Sequence, residues 1–242
     1  MEAHTLCIDI GNSSVKAALF SEEGAMLQSF PLAEPSELFT IKASKIAYID
    51  TRLDTAWRSA LESQGAIELV AEKGLPFPSQ YSKRLGPDRA AQLIAVWAVG
   101  RFPSVIVSLG TACTIDYLDE RGQHQGGMIT AGINLRLWAL AQRTGRLPQV
   151  SPLPDAPLLG KDTEEAIRAG VIGGFQRELS AQLERLRQIS GDFSLWITGG
   201  EADLLKTTLP TGAIFAPELT LRGVWLWQRF LASSGHNSPT IP

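Results

Sequence analysis

Two cysteines, three histidines and no apolar run of membrane length leave this 242-residue chain short of several kinds of chemistry. Cys7 and Cys113 lie in apolar, strand-like runs with no CxxC spacing. That pattern reads as two buried, reduced thiols of a cytoplasmic protein, not as a disulfide framework or a zinc site. His4, His124 and His236 are scattered, which gives little support to a histidine-based metal site or catalytic triad. A membrane span needs about 20 consecutive apolar residues, and nothing here approaches that, so no membrane partner is expected. The first residues run straight into a charged, patterned strand without the layout of a signal peptide. The formal net charge of −3 argues against a broad nucleic-acid footprint, which needs a clustered basic surface. No Gly-x-x-x-x-Gly-Lys-Ser/Thr run occurs, which argues against a P-loop kinase. What is present is 44% hydrophobic residues and 19% charged ones, enough to bury the core of one large domain or two small ones.

The most informative stretch is residues 6–20. Two apolar runs flank a short polar turn, the signature of a β-hairpin. Asp9, Ile10, Gly11, Asn12, Ser13, Ser14, Val15 and Lys16 place an acid, a glycine, an amide, two hydroxyls and a lysine within eight residues. Gly11 lets the backbone approach a ligand, because no Cβ stands in the way. Backbone N–H groups in such a turn, with the hydroxyls of Ser13 and Ser14, suit phosphate oxygens. Asp9 ends a buried-looking strand and suits Mg²⁺ held through water. Lys16 would face phosphates as a point charge. A plain hairpin turn with local Asp and Asn bonds is the competing explanation.

The pattern recurs. After the first hairpin, a turn at 22–24 and a strand at 26–30 complete a meander, which Pro31 to Pro35 should break. A strand at 45–50, a helix over 51–64 with Leu53, Trp57, Ala60 and Leu61 inward, and a strand at 67–70 follow. Gly86-Pro87-Asp88-Arg89 opens a helix, with Pro87 at the first position, where its missing N–H costs nothing. Then 105–109, Gly110-Thr111 and 112–118, with a further strand at 126–129, repeat the opening: strand, glycine with hydroxyls, strand, strand. The echo predicts a duplicated α/β architecture of two lobes, 1–103 and 104–242, with phosphate turns facing each other across a cleft. The second half continues with helices over 135–144 and 163–189, the latter broken or closely packed at Gly170, Gly173 and Gly174. A strand at 194–198 leads through Gly199-Gly200 to a helix ending at Lys206. A short strand at 214–216, an amphipathic helix over 219–232 and a loose tail, 236–242, close the chain.

Five stretches in order, Asp9-Ile10-Gly11-Asn12-Ser13, Gly86-Pro87-Asp88-Arg89, Gly110-Thr111-Ala112-Cys113-Thr114, Gly160-Lys161-Asp162-Thr163 and Thr198-Gly199-Gly200, resemble the type III pantothenate kinases, within the acetate and sugar kinase, heat-shock chaperone and actin superfamily. The resemblance implies a duplicated actin-like ATPase fold. Each lobe would have a mixed sheet, an antiparallel meander plus parallel strands, and flanking helices. It implies ATP-dependent phosphorylation of pantothenate, the first step of coenzyme A synthesis, by a homodimer using ATP with Mg²⁺. Residues 9–16 would form the first phosphate loop, and Thr111, Gly199 and Gly200 would also meet ATP. Gly86, Pro87, Asp88 and Arg89 would bind pantothenate, with Asp88 as proton acceptor and Thr163 touching the substrate. Tyr81 is the one candidate for a substrate-binding tyrosine that precedes this motif, and it lies closer than the family pattern suggests. The residue types agree with these roles. A carboxylate in the first turn of a helix is favoured by the macrodipole, and an arginine pairs bidentately with a carboxylate such as pantothenate carries. Thr163 equally suits a helix cap.

There are departures. Ser108 stands where the family has an Asp that holds a monovalent cation, potassium or ammonium, so dependence on that cation is not expected. Ser13 stands for a usual Thr, and Ala131 where an Ile-x-Pro-Gly pattern has its proline. Two other functions stay open from the sequence: a nucleotide-binding regulatory protein that has lost catalysis, and a kinase of another small alcohol.

Overall fold

The computed structural model describes residues 4–206 and 209–234; the tail expected to be loose lies outside them. Strands β1 (Thr5–Ile10), β2 (Val15–Phe20) and β3 (Met26–Leu32) form the opening meander. Next come β4 (Lys45–Asp50), α1 (Thr55–Ser63), β5 (Ile67–Glu68) and α2 (Pro87–Val99). The second run is β6 (Ser104–Leu109), β7 (Ala112–Leu118), β8 (His124–Ala131), α3 (Ile133–Arg143), α4 (Thr163–Ser190), β9 (Ser194–Thr198), β10 (Ile214–Phe215) and α5 (Leu219–Ser234).

The duplication read from the sequence is present in the strand order. One five-stranded sheet runs β3-β2-β1-β4-β5 and the other β8-β7-β6-β9-β10. In the first, β2 is antiparallel to β1 and β3, while β4 lies parallel to β1 and β5 to β4. In the second, β7 is antiparallel to β6, while β9 lies parallel to β6 and β10 to β9. The described residues form two compact units. The first holds those up to Gly100, with 122–125 and those from Glu218 on; the second holds Arg101–Arg121 and those of Gly126–Pro217.

In the first unit, the two-residue period of a strand sorts the side chains of β1. Leu6, Ile8 and Ile10 point to one face and pack with Val15, Ala17, Trp57 and Leu61. Cys7 and Asp9 take the opposite face, paired across the hairpin with Ala18 and Lys16. Phe20, on that same face, stacks on Trp225 of α5 with ring centroids 5.8 Å apart. Helices α2 and α5 therefore cover the face that carries Asp9. They meet closely: a Cβ on Gly223 would stand 1.8 Å from the Ala91 carbonyl oxygen. The second unit has its own core, with Val105, Val107, Leu109 and Ile197 from the sheet packed on Leu137, Ile172 and Phe175.

Several local expectations are corrected. β3 runs through Pro31 to Leu32, which an edge strand tolerates because its outer N–H groups need no partner. The first helix begins at Thr55, because Asp54 caps it by accepting from the Ala56 and Trp57 N–H groups. Leu53, expected inward, has φ 55° and is 70% exposed. α4 is continuous through Gly170, Gly173 and Gly174. After Gly199-Gly200 comes only a short 3-10 turn, Ala202–Leu205. Both cysteines are free and buried, as expected, and burial pushes both thiols well above their usual range.

Candidate active site

In the first unit, candidate residues 9–16 span the carboxyl end of β1, the turn that follows and the start of β2. The four-residue turn from Gly11 to Ser14 is closed by the Gly11 N–H donating to the Ser14 carbonyl at 3.1 Å. Asn12, Ser13 and Ser14 are exposed, and so is Lys16 opposite Asp9. Behind the turn, both the backbone N–H and the hydroxyl of Thr51 donate to the Ile10 carbonyl at 3.0 Å. Asp50 accepts from the Arg52 and Leu53 N–H groups through Oδ1, at 2.9 and 2.8 Å. That tight exit from β4 accounts for the left-handed backbone of Leu53 and braces the end of β1.

Helix α2 brings the second carboxylate. Gly86 is its N-cap residue, Pro87 its first residue, and Asp88 stands in the first turn. A Cβ on Gly86 would lie 2.8 Å from Asp88 Oδ1, so glycine leaves that side chain its place. Burial pushes the Asp9 carboxyl from 3.8 up to about 7; the negative charge of Asp88 adds to the rise and Lys16 opposes it. A carboxyl pair that resists losing both protons is a place where a cation would be welcome. Among the described residues no group of three or more His, Cys, Asp or Glu side chains could hold a metal ion alone.

Arg89 is buried, and its guanidinium lies over the Tyr81 ring, 4.6 Å from the centroid. Tyr81 in turn stacks on His124, at 5.9 Å. The His124 ring nitrogen Nδ1 lies 2.9 Å from the Ser79 hydroxyl. Tyr81 and Arg89 stand out in the sequence, whereas His124 is one of three scattered histidines.

In the second unit, Gly110 and Thr111 turn the chain between β6 and β7, and the Gly110 N–H donates to the Ala112 carbonyl at 3.2 Å. Three chain segments meet there. The Gly132 N–H donates to the Thr111 carbonyl at 3.0 Å. A Cβ on Gly132 would stand 1.9 Å from the Gly110 carbonyl oxygen. Gly199, at φ 97°, lies against β6, where a Cβ would be 2.2 Å from the Leu109 carbonyl oxygen, whereas one on Gly200 would meet nothing within 4 Å. Glu201 ties the group together. Its backbone N–H donates to Leu109, and its carboxylate accepts from the Ile133 and Asn134 N–H groups and the Asn134 side-chain amide, at 2.8, 3.2 and 2.9 Å. Glu201 thus caps α3, whose own N-cap, Gly132, has no side chain to offer. Hydrogen bonds to a charged group contribute about 1.5–3 kcal/mol each, so this carboxylate is a strong fastener.

Thr163 is the first residue of α4 and is exposed; the cap is Asp162, which accepts from the Glu165 N–H at 2.8 Å. The contacts that join Gly110, Gly132, Gly199 and Glu201 do not include Thr163. Gly160 lies so close to the first turn of α4 that a Cβ would be 2.1 Å from the Ala166 nitrogen.

Asp50, Thr51, Ser79, His124 and Glu201 do not stand out in the sequence as site residues. The signal for Glu201 was its place directly after Gly199-Gly200; the others carried none beyond their residue type.

Two sheets of one repeated topology, each with a glycine turn at the end of its first strand, define a duplicated actin-like ATPase fold. Solved structures agree on the fold. A conserved protein of Campylobacter jejuni described as a Baf family transcriptional activator is 24% identical, with a TM-score of 0.65 over 96% of this chain and 100% of that one. The activator of 2-hydroxyisocaproyl-CoA dehydratase from Clostridium difficile, solved with bound ADPNP, is 11% identical with a TM-score of 0.55 over 99% and 100%. Residues 40–185 match the family model for type III pantothenate kinase. A type III pantothenate kinase of Phocaeicola vulgatus is 34% identical over 233 residues, 90% of this chain and 95% of that protein. One from Thermus thermophilus is 28% identical over 244 residues, 90% and 96%. The chain belongs to the type III pantothenate kinase family.

Proposed function

We propose that this protein transfers the γ-phosphoryl group of ATP to the primary alcohol of pantothenate, giving 4′-phosphopantothenate in the first step of coenzyme A biosynthesis. What supports the reading is that the chain belongs to the type III pantothenate kinase family, with Asp88 in the first turn of α2 close enough for its charge to reach Asp9 near the end of β1. Phosphoryl transfer proceeds through a loose transition state, so positioning and charge matter more than a strong base. Asp88, favoured as an anion by the start of α2, accepts the hydroxyl proton of pantothenate. Arg89 receives the pantothenate carboxylate, with Gly86 and Pro87 setting the start of the helix and Tyr81 backing the guanidinium. Thr163 offers its side-chain hydroxyl to the substrate as a hydrogen-bond partner. Residues 9–16 receive the phosphates through the turn N–H groups, Ser13, Ser14 and the Lys16 ammonium. Thr111, Gly199 and Gly200 are the nucleotide contacts of the second unit. Bound with ATP, a magnesium ion would supply neutralisation of the phosphate charge, and Asp9 would hold it through water.

The test is direct. Purified protein with ATP, Mg²⁺ and pantothenate should give phosphopantothenate by mass spectrometry. Asp88→Asn should lower kcat about 10²–10⁴-fold while leaving ATP affinity nearly intact; turnover at the native rate would remove Asp88 as the base. At Ser108 a neutral hydroxyl replaces the carboxylate that would hold a monovalent cation, so sodium and potassium salts should support equal rates. A strict need for potassium would locate such an ion on other groups.

The homodimer belongs to the same proposal. The second unit presents Ile129, Trp138, Leu153, Leu158 and Leu159 to its surface, 61%, 52%, 49%, 81% and 81% exposed. Exposed apolar side chains in such number support an interface with a second copy. The two free thiols support a cytoplasmic setting, and no described helix is long and apolar enough to cross a membrane.

A further inference from the structure

The ring column beside α2 is more extended than the pair of Arg89 and Tyr81. Trp97, further along α2, lies 6.2 Å from Phe77; Phe77 meets His124 edge-on at 6.4 Å; His124 stacks on Tyr81; and Tyr81 carries the Arg89 guanidinium. His124 is the member that comes from elsewhere in the chain, from the short segment 122–125 that belongs to the first unit. It is completely buried. Its backbone is clipped to the loop before α2 in both directions. The His124 N–H donates to the Pro78 carbonyl at 2.9 Å, and the Gln80 N–H donates to the His124 carbonyl at 2.8 Å. Ser79 fixes the ring through Nδ1, and the Ser79 hydroxyl oxygen also accepts from the Tyr81 N–H at 3.1 Å.

We infer that His124 is a positioning residue for the acceptor substrate: it sets the plane of Tyr81, and through Tyr81 the direction in which Arg89 presents its guanidinium. The inference rests on the proposed role of Arg89 in receiving the pantothenate carboxylate. A guanidinium over an aromatic face gains attraction only while the ring stays beneath it. Tyr81 comes from a loop rich in proline and glycine, 74–86, which has little regular structure to hold its ring. Backbone clip, Ser79 bond and imidazole stack together supply that restraint. Displacing the stack removes one of the restraints on the buried Arg89 guanidinium and shifts the direction it presents, and a bidentate carboxylate contact suffers first. The phosphate turns lie on other elements and are untouched.

Three variants separate the parts. His124→Ala removes both ring stack and Ser79 bond; His124→Phe keeps a ring; Ser79→Ala keeps the imidazole and is the milder change should the first fold poorly. His124→Ala should raise KM for pantothenate about tenfold or more with KM for ATP changed less than about twofold, and His124→Phe should recover part of the loss. Independently of any substrate, the NMR resonance of the Arg89 Nε–H carries the ring-current shift of Tyr81. It should move toward the value of an unstacked arginine in His124→Ala, and partway in Ser79→Ala. Equal rises in both KM values with an unmoved Arg89 resonance would overturn the inference and leave His124 a core residue. Absence of pantothenate turnover in the native protein would instead count against the proposed function, while the Arg89 resonance still decides the role of His124.

Discussion

Asp9 shows how one side chain acquires its chemistry from neighbours that the strand alone does not supply. Strand alternation sends it to the face covered by α2 and α5. There burial and Asp88 hold its pKa at about 7, against an ordinary 3.8. Between those values the folded chain keeps a proton that the unfolded chain has lost. The contribution of Asp9 to stability is therefore greatest below about pH 4, falls as pH rises toward 7, and stays low above. Asp9→Asn removes the titration. In thermal unfolding without nucleotide or metal, that variant should gain stability relative to the native protein as pH is raised from about 4 to about 8. A constant difference across that range would show that Asp9 is an ordinary solvated carboxyl. Glu201 is the contrasting case: a buried carboxylate met by three donors, which serves as the missing cap of α3.

Helices and strands in this chain follow from rules that act within a few residues. Pro87 at the first position and Gly100 at φ 72° past the end mark α2 at both limits. Asp54 and Asp162 each start a helix by satisfying N–H groups of the first turn. The crossing of α2 and α5 depends on Gly223, because the Ala91 carbonyl occupies the space a side chain would need. Gly223→Ala should force the two backbones apart and cost about 1–3 kcal/mol, read as a lower midpoint in urea. Loss of that packing would also disturb the start of α2, so the variant should show reduced kcat at temperatures where it remains folded. An unchanged midpoint would mean that the helices slide without penalty. Leu53 was misplaced for an equally local reason: helical spacing suggested an inward side chain, but the Asp50 turn begins before the periodicity takes hold.

Each unit folds around its own core, and the two repeat one strand order, so the molecule is built twice from one plan. The proposed homodimer would use the apolar side chains exposed on the second unit, such as Trp138, Leu158 and Leu159. Sedimentation at micromolar concentration should give twice the chain mass of 26.2 kDa. Trp138→Glu, which replaces one of the exposed apolar side chains with a charge, should shift the mass toward the monomer. A native protein that sediments as a monomer at all concentrations would assign those side chains another purpose. The duplicated architecture was legible because both glycine turns and both meanders recur in the same order along the chain. The assignment of α5 to the first unit was not: its amphipathic pattern says that one face is buried, but not against which sheet.

Amino-acid order was enough to place Asp9 near the end of a strand and Gly11, Gly86, Asp88, Arg89, Gly110 and Gly199 in turns and at helix starts. Backbone freedom, capping and strand alternation act over short distances and leave their mark in neighbouring residues. Three-dimensional packing alone decided that Asp88 would load Asp9, that Thr51 would brace the first turn, that Glu201 would cap α3, and that His124 would stack on Tyr81. Those are relations between segments 40 to 80 residues apart or nearly so, and nothing in either partner's immediate surroundings encodes the other. They arise from burial, which forces each polar group to find whatever partner the folded chain has brought alongside.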